Sequence, residues 1–285
     1  MNASDTASKP NTQRKLFFGL FVFPLLIAVG MAVLLCGVVF LTHEQESPES
    51  LITAIKTGSP SRRWQKAYEL SNELNHRKEN IRSEGLVQEM IHILEDVSRY
   101  DPKTRSYMAL ALSHFGSAVS QAALTRALGD PSEDVQLYAL WALGAVKAGS
   151  SAPAIMPFLK NEKESLKKTA AYVLGAIGSR EALPHLRPLL NDKVTDVRWN
   201  AALALARLGD PSGLPLLLQM LERQSLLSAH AMSEEEVENI MINAIKGIAL
   251  VGDTQSFESL RKISRTDKSL KVRQAALDVL SARQA

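Results

Sequence analysis

The chain has 285 residues, of which 46% are hydrophobic and 22% charged, a balance that excludes a disordered protein. Its net charge of +3 sits almost wholly in the first fifteen residues, where Lys9, Arg14 and Lys15 face only Asp5. The near-neutral remainder argues against nucleic acid as a partner, which needs an excess of phosphate-neutralising charge, and a single cysteine, Cys36, leaves no intrachain disulfide or cysteine-based zinc site.

Residues 1–15 are polar and are expected to form a disordered cytoplasmic tail. Leu16 to Leu41 then runs 26 residues without a charge. At about 1.5 Å per residue, a helix of that length spans a hydrocarbon core of roughly 30 Å. Gly19, Pro24, Gly30 and Gly37 are tolerated in such a helix. The reading is one transmembrane helix over 16–41, in contact with the lipid bilayer, against a buried core helix as the rival. An ordinary signal peptide has an apolar core of roughly 7–15 residues and a small-x-small cleavage site. Phe40-Leu41-Thr42-His43 offers no such site. Val33-Leu34-Leu35-Cys36 resembles a bacterial lipoprotein box, but Leu35 stands where a small residue is required. An uncleaved signal anchor fits best. Basic residues precede the span, and His43, Glu44, Glu46 and Glu49 follow it. The positive-inside rule therefore puts the N-terminus in the cytoplasm and the following domain outside it, in the periplasm if the cell is Gram-negative.

From Ser47 the pattern becomes helical and amphipathic. Ser47-Pro48-Glu49 reads as a cap and first-turn proline ahead of Leu51, Ile52 and Ile55. Gly58-Ser59-Pro60-Ser61 breaks that helix. Trp64, Ala67, Tyr68, Leu70 and Leu74 mark one face of the next, and Leu86, Met90, Ile93, Leu94 and Val97 mark another. Residues 48–100 are expected to be irregular N-terminal capping helices.

Between Met108 and Gly209 the chain repeats in steps of 31 residues. Leu112, Leu143, Leu174 and Leu205 fall in register, as do Phe115, Val146, Ile177 and Leu208. Pro153, Pro184 and Pro215 share a column, and so do Leu128, Leu159, Leu190 and Leu221. Met108, Ala139, Ala170, Ala201 and Ala244 form another, where small side chains let helices approach. A fixed period of this size, filled by two helix-like runs, signals a stacked helical repeat. Asp101-Pro102, Asp130-Pro131 and Asp210-Pro211 read as N-cap plus first-turn pairs. Gly116, Gly178, Gly209 and Gly252 read as left-handed C-caps. Each period holds a longer first helix and a shorter second one.

Val197-Arg198, Ala201-Ala202-Leu203-Ala204-Leu205 and Leu208-Gly209-Asp210 resemble the HEAT repeat, more narrowly the short bacterial HEAT-like unit first named for phycobilisome lyases. Asp134-Val135 and Val272-Arg273 match the start of the same motif. The resemblance covers 101–285 strongly and 48–100 weakly. It implies an all-α, right-handed α-solenoid of stacked helix pairs that binds other macromolecules. No residue set matches a chromophore site, so the lyase activity is not carried over. Leu205 to Ile248 is 43 residues, 12 more than the period. The extra material near Gln224 to Met232 reads equally as a functional loop or a helix extension. Ser233 and Glu236 form a capping box behind it. The last helix, Lys271 to Ser281, is the expected C-terminal cap, and Gly149-Ser150-Ser151 is expected to cap a second helix.

The six histidines include no pair at the i, i+4 spacing of a helical zinc site, and no HExxH, phosphate loop or nucleophile elbow appears. No catalytic residue, cofactor or metal is expected. The column Leu110, Trp141, Tyr172 and Leu203 should point away from the core, yet it is apolar. Leu137 and Trp199 stand four positions earlier on the same face. Leu110 and Leu203 read more simply as half-buried seam residues. Trp141, Tyr172 and Trp199 read as a partner surface, since exposed aromatics are typical of interface centres. On the second helices Met156, His185, Arg187, Leu218, Gln219 and Arg261 fall in solvent-side columns, expected to line the concave face as a second candidate surface. The combined expectation is a membrane-anchored scaffold or adaptor, not an enzyme, binding protein partners in a cell-envelope complex. The alternative is a lyase-type or other enzyme-accessory protein that uses the concave groove as a ligand pocket.

Overall fold

The computed structural model describes residues 21–42, 47–76, 84–230 and 232–283. The chain divides into two units, Met1–Ser47 and Pro48–Ala285. In the first, helix α1 (Phe23–Thr42) runs 20 residues without an acidic or basic residue. Its apolar side chains are exposed, Leu25, Leu34 and Leu35 each above 60%. Among the described residues no helix is long and apolar enough to cross a membrane. The expected tail, residues 16–20 of the expected span, and His43, Glu44 and Glu46 lie outside the described residues. The span over 16–41 is therefore not shown.

The second unit is an all-helical repeat solenoid. Its helices are α2 (Pro48–Thr57), α3 (Pro60–His76), α4 (Glu84–Glu95), α5 (Pro102–Leu112), α6 (Ala118–Ala127), α7 (Glu133–Ala145), α8 (Ala152–Ile155), α9 (Glu164–Ile177), α10 (Leu183–Leu186), α11 (Thr195–Arg207), α12 (Leu214–Gln219), α13 (Arg223–His230), α14 (Glu234–Val251), α15 (Thr254–Thr266) and α16 (Leu270–Ala282). The first helices α3, α5, α7, α9, α11, α14 and α16 stack in one layer, with the second helices packed behind them. One core cluster runs from Leu51 to Leu208, and a second from Trp199 to Ala276. The columns Leu112, Leu143, Leu174, Leu205 and Met108, Ala139, Ala170, Ala201 are all fully buried. The 31-residue period is thus the period of the core.

Several helix ends follow the expected chemistry. Asp101 accepts a hydrogen bond from the Thr104 N–H at 3.0 Å, with Pro102 in the first turn. The Ser233–Glu236 capping box is present in both halves. Three expectations need correction. Asp130-Pro131 does not open a helix, since α7 starts at Glu133 behind Ser132. The Asp130 carboxylate instead accepts from the Ser132 N–H at 2.8 Å and turns the chain two residues earlier. Gly252 is extended at φ −67°, because Asp253 at once caps the next helix. Ser151 makes no cap and meets Thr125 Oγ1 at 2.7 Å instead. Gly116, Gly178 and Gly209 do take positive φ, and Lys147, in the same 31-residue register, joins them at φ 51°.

The second helices are broken because prolines recur four residues apart, at 153 and 157, 184 and 188, and 211 and 215. Each proline removes a backbone donor. Tight 3-10 turns at 149–151, 156–160, 180–182, 187–191 and 211–213 fill the gaps.

One polar column straps the layers. Arg105 and Lys167 reach forward to Asp130 and Asp192, Lys167 at 2.8 Å. Gln136 and Arg198 reach back to the carbonyl oxygens of the same two aspartates, each at 2.8 Å. Each aspartate is thus held by two successive first helices. Met241 occupies this column in α14 and can supply no cation. Arg223, from the inserted α13, replaces it and binds Asp267 at 2.7 Å and Glu234 at 2.8 Å. The hydrogen bond to Asp267 holds the Arg223 guanidinium above its ordinary pKa. The insertion is therefore a helix with a structural bond.

Candidate protein-binding surface

The outward side of the first-helix layer carries two aromatic rows. Stacking brings Trp141 of α7 and Tyr172 of α9 to a ring distance of 5.1 Å. The Arg207 guanidinium of α11 lies over Tyr172 at 4.7 Å. Three consecutive repeats thus contribute to one exposed cluster. Trp141 remains 44% exposed, while Leu110, Leu137, Tyr172 and Leu203 are half-buried. Aromatic pairs contribute about 0.5–1.5 kcal/mol and exposed cation–π contacts about 0.5–1 kcal/mol. These contacts fix the rings without burying Trp141.

The second row was not singled out from the sequence. Tyr68, Tyr107 and Tyr138 meet edge to face, at 5.3 Å and 5.8 Å. Burial, then the neighbouring Tyr138 and Tyr68, push the Tyr107 hydroxyl above its ordinary pKa. A signal was available: Tyr107 and Tyr138 are one period apart, three residues ahead of Leu110 and Trp141.

Trp199 does not join the exposed surface. It is 9% exposed and belongs to the second core cluster with Leu217, Met220 and Met241. Leu226 of the insertion and Val237 and Met241 of α14 belong to the same cluster, which leaves only an edge of the ring toward the surface. Its assignment as an exposed aromatic is corrected.

On the second-helix side the expected residues do not converge. Met156 packs on the core, and Leu218 is half-buried. His185 and Gln219 are exposed. Arg187 donates to the Asp210 carboxylate at 2.9 Å and 2.5 Å, so its charge is already partnered. Burial raises the Asp210 carboxyl, but the bonds from Ser212 and Arg187 outweigh it and hold the pKa below its ordinary value. Arg261 pairs with Glu258 on its own helix. A groove of about 640 Å³ does lie on this side, lined in part by Leu218, Leu221, Arg223, Lys262 and Ile263. Among the described residues no group of three or more His, Cys, Asp or Glu side chains could hold a metal ion.

A family model described as HEAT repeats matches residues 87–165, 122–196 and 152–232, together just over half of the chain. Among solved structures, the chain is similar to one in the complex of CpcE and CpcF of phycocyanin lyase from Nostoc sp. PCC7120. The identity is 22% and the TM-score 0.60, over 86% of this chain and 90% of that one. An engineered protein aligns at 20% identity and a TM-score of 0.47, over 71% of this chain and 96% of that one. A designed armadillo repeat protein aligns at 16% and 0.44, over 83% and 99%. At these identities the likeness concerns the fold alone. No curated protein matches the chain.

Proposed function

Because the chain belongs to the HEAT-repeat family, we propose that it is a binding module, an adaptor rather than an enzyme, whose partner is a protein docking on the aromatic rows. The exposed Trp141, fixed against Tyr172, whose ring Arg207 covers in turn, is the observation that carries this reading. Interface centres are enriched in Trp, Tyr and Arg. A pre-fixed ring also loses little entropy on binding. The test is a photo-crosslinking residue placed at Trp141, with Gln219 on the second-helix side as control. Adducts to one protein from position 141 alone support the reading. Adducts from 219 alone, or from neither, overturn it.

The same proposal includes a membrane tether through residues 16–41, with the N-terminus in the cytoplasm and the repeats outside, in a cell-envelope complex. It is supported by the uncharged run in the sequence and by the exposed apolar side chains of α1. A tether would raise the effective concentration near membrane partners. A reporter active only outside the cytoplasm, fused after Ala285, should be active, and a cytoplasm-only signal would remove this part. The second-helix groove favours a second reading, an enzyme-accessory protein with a small ligand there. Protection of Lys262 from chemical labelling by a small molecule from cell extract would favour it.

A further inference from the structure

Where α14 follows α11, the stack opens on the first-helix side. A groove of about 350 Å³ lies between the two helices, with Trp199, Leu203, Met220 and Ile240 among its apolar walls. Asn200, Asn239 and Asn243 stand with them, and the two charges that line it, Asp196 and Glu236, are both negative. The volume lies near the lower end of ligand pockets, about 300–1,000 Å³, which suits one or two side chains rather than a large cofactor. Asn239 and Asn243 make no side-chain hydrogen bond among the described residues, so each amide offers a donor and an acceptor. Glu236 accepts from the Ser233 N–H at 2.8 Å and hydroxyl at 2.7 Å, both on Oε2, which leaves Oε1 available. Asp196 shares its charge with Lys168 at 2.9 Å, and both remain near half exposed. Leu203 belongs to the groove and also to the column of Trp141 and Tyr172, so the groove continues the aromatic rows.

We propose that this groove receives an extended segment of a protein partner, with one apolar side chain seated against Trp199 and an adjacent Lys or Arg facing Asp196 and Glu236. The proposal rests on the protein-binding reading above and names the chemistry of the partner. Apolar walls reward the first side chain. The unused Oε1 of Glu236, beside an Asp196 that already shares its charge with Lys168, rewards the second. The asparagine amides can pair the main chain of an extended segment, which otherwise would lose its hydrogen bonds to water.

The test uses a random twelve-residue phage-display library against the full chain in detergent. Enrichment of an apolar residue beside Lys or Arg is expected. The selected peptides are then measured on three variants. Asp196→Asn with Glu236→Gln keeps the helix cap, since glutamine also serves there, and should weaken binding about tenfold at low salt. Asn243→Lys, at an exposed rim position, should weaken it further. Trp141→Ala, in the adjoining aromatic row, should weaken it less than the charge variants do. Absence of a basic-apolar consensus, or equal binding by the charge variants, overturns the groove. Loss through Trp141→Ala alone moves binding to the aromatic rows, which sinks this proposal and leaves the protein-binding reading standing.

Discussion

The seams on either side of α11 differ in kind. Toward α9 the contact is tight. A Cβ added at Gly175 would fall 2.6 Å from the Ala204 Cα, so the two backbones touch where glycine permits it. Toward α14 the 12 extra residues open a groove. There a Cβ added at Gly247 would first meet the flexible ends of Leu217 and Leu203, at 3.0–3.3 Å. The tight seam is held by shape and by the Lys167–Asp192–Arg198 strap. The strap that Arg223 of the inserted helix supplies runs to Glu234 of α14 and to Asp267 ahead of α16, one step beyond the open seam. A regular solenoid has no reason to vary its seams, so the step where they change is where a partner can find a surface unlike the rest.

The largest effect should come from the tight side. Leu174 is fully buried in the first core cluster. Leu174→Ala should cost about 2–5 kcal/mol. Repeat arrays couple mainly to their nearest neighbours. Hydrogen exchange should therefore rise across α7 to α11 while α14 to α16 stay protected. Uniform loss of protection would show that the two seams couple equally, and the contrast would fail.

Next comes the backbone contact itself. Gly175→Ala should destabilise by about 1–3 kcal/mol, the usual cost of overpacking. Asn243→Ala, on the rim of the groove, should stay within about 0.5 kcal/mol. Chemical denaturation of both variants gives the comparison. Equal losses would mean the groove is as closely packed as the seam.

The strap gives a pH dependence. Burial raises the Asp192 carboxyl, but the bonds from Lys167 and the Val194 N–H outweigh it, and the folded pKa lies below the ordinary value. A lowered folded pKa means stability that is fully present above the unfolded value, about 3.9, and lost as pH falls through the folded one. Asp192→Asn lacks that contribution at neutral pH. Its deficit against the natural chain should shrink as the pH drops below the unfolded value. Denaturation at pH 7 and at pH 3 would measure it, and a deficit constant across both would remove the strap from the account.

Much of the fold was legible because each repeat meets a copy of itself. Leu112, Leu143, Leu174 and Leu205 see the same surroundings, so one packing solution is written four times. The same logic explains the failures. Trp199 shares a column with Leu137, yet its cover comes from Met220 and the helix beyond the insertion, which no earlier repeat possesses. Arg223 falls where the period places Asp130 and Asp192, a cation in a column of acceptors, and only the fold shows that it fills the post left by Met241. Tyr107 and Tyr138 were in register and readable, but Tyr68 meets them from the irregular N-terminal helices, where no period leads to it. The groove was invisible for a related reason: Asn239 and Asn243 acquire a role only beside Asn200, across the interrupted step.

The stability effect at Trp141 should be small beside the effect on binding, and that contrast is the point. Trp199 and Trp141 are chemically identical and lie on neighbouring faces of the same layer. One is 9% exposed and the other 44%. The specific contact that Trp141→Ala loses inside the folded chain is the one with Tyr172, worth about 0.5–1.5 kcal/mol beyond the area it buries. A thermal melt should therefore move little. If the ring is an interface anchor, the same change should weaken partner binding by about 2 kcal/mol or more, roughly thirtyfold. A ring that merely shields the seam would show the reverse, a large fall in melting temperature with binding intact. The exposed tryptophan would then be another packing residue, and the groove beside α14 would remain as the stronger binding surface.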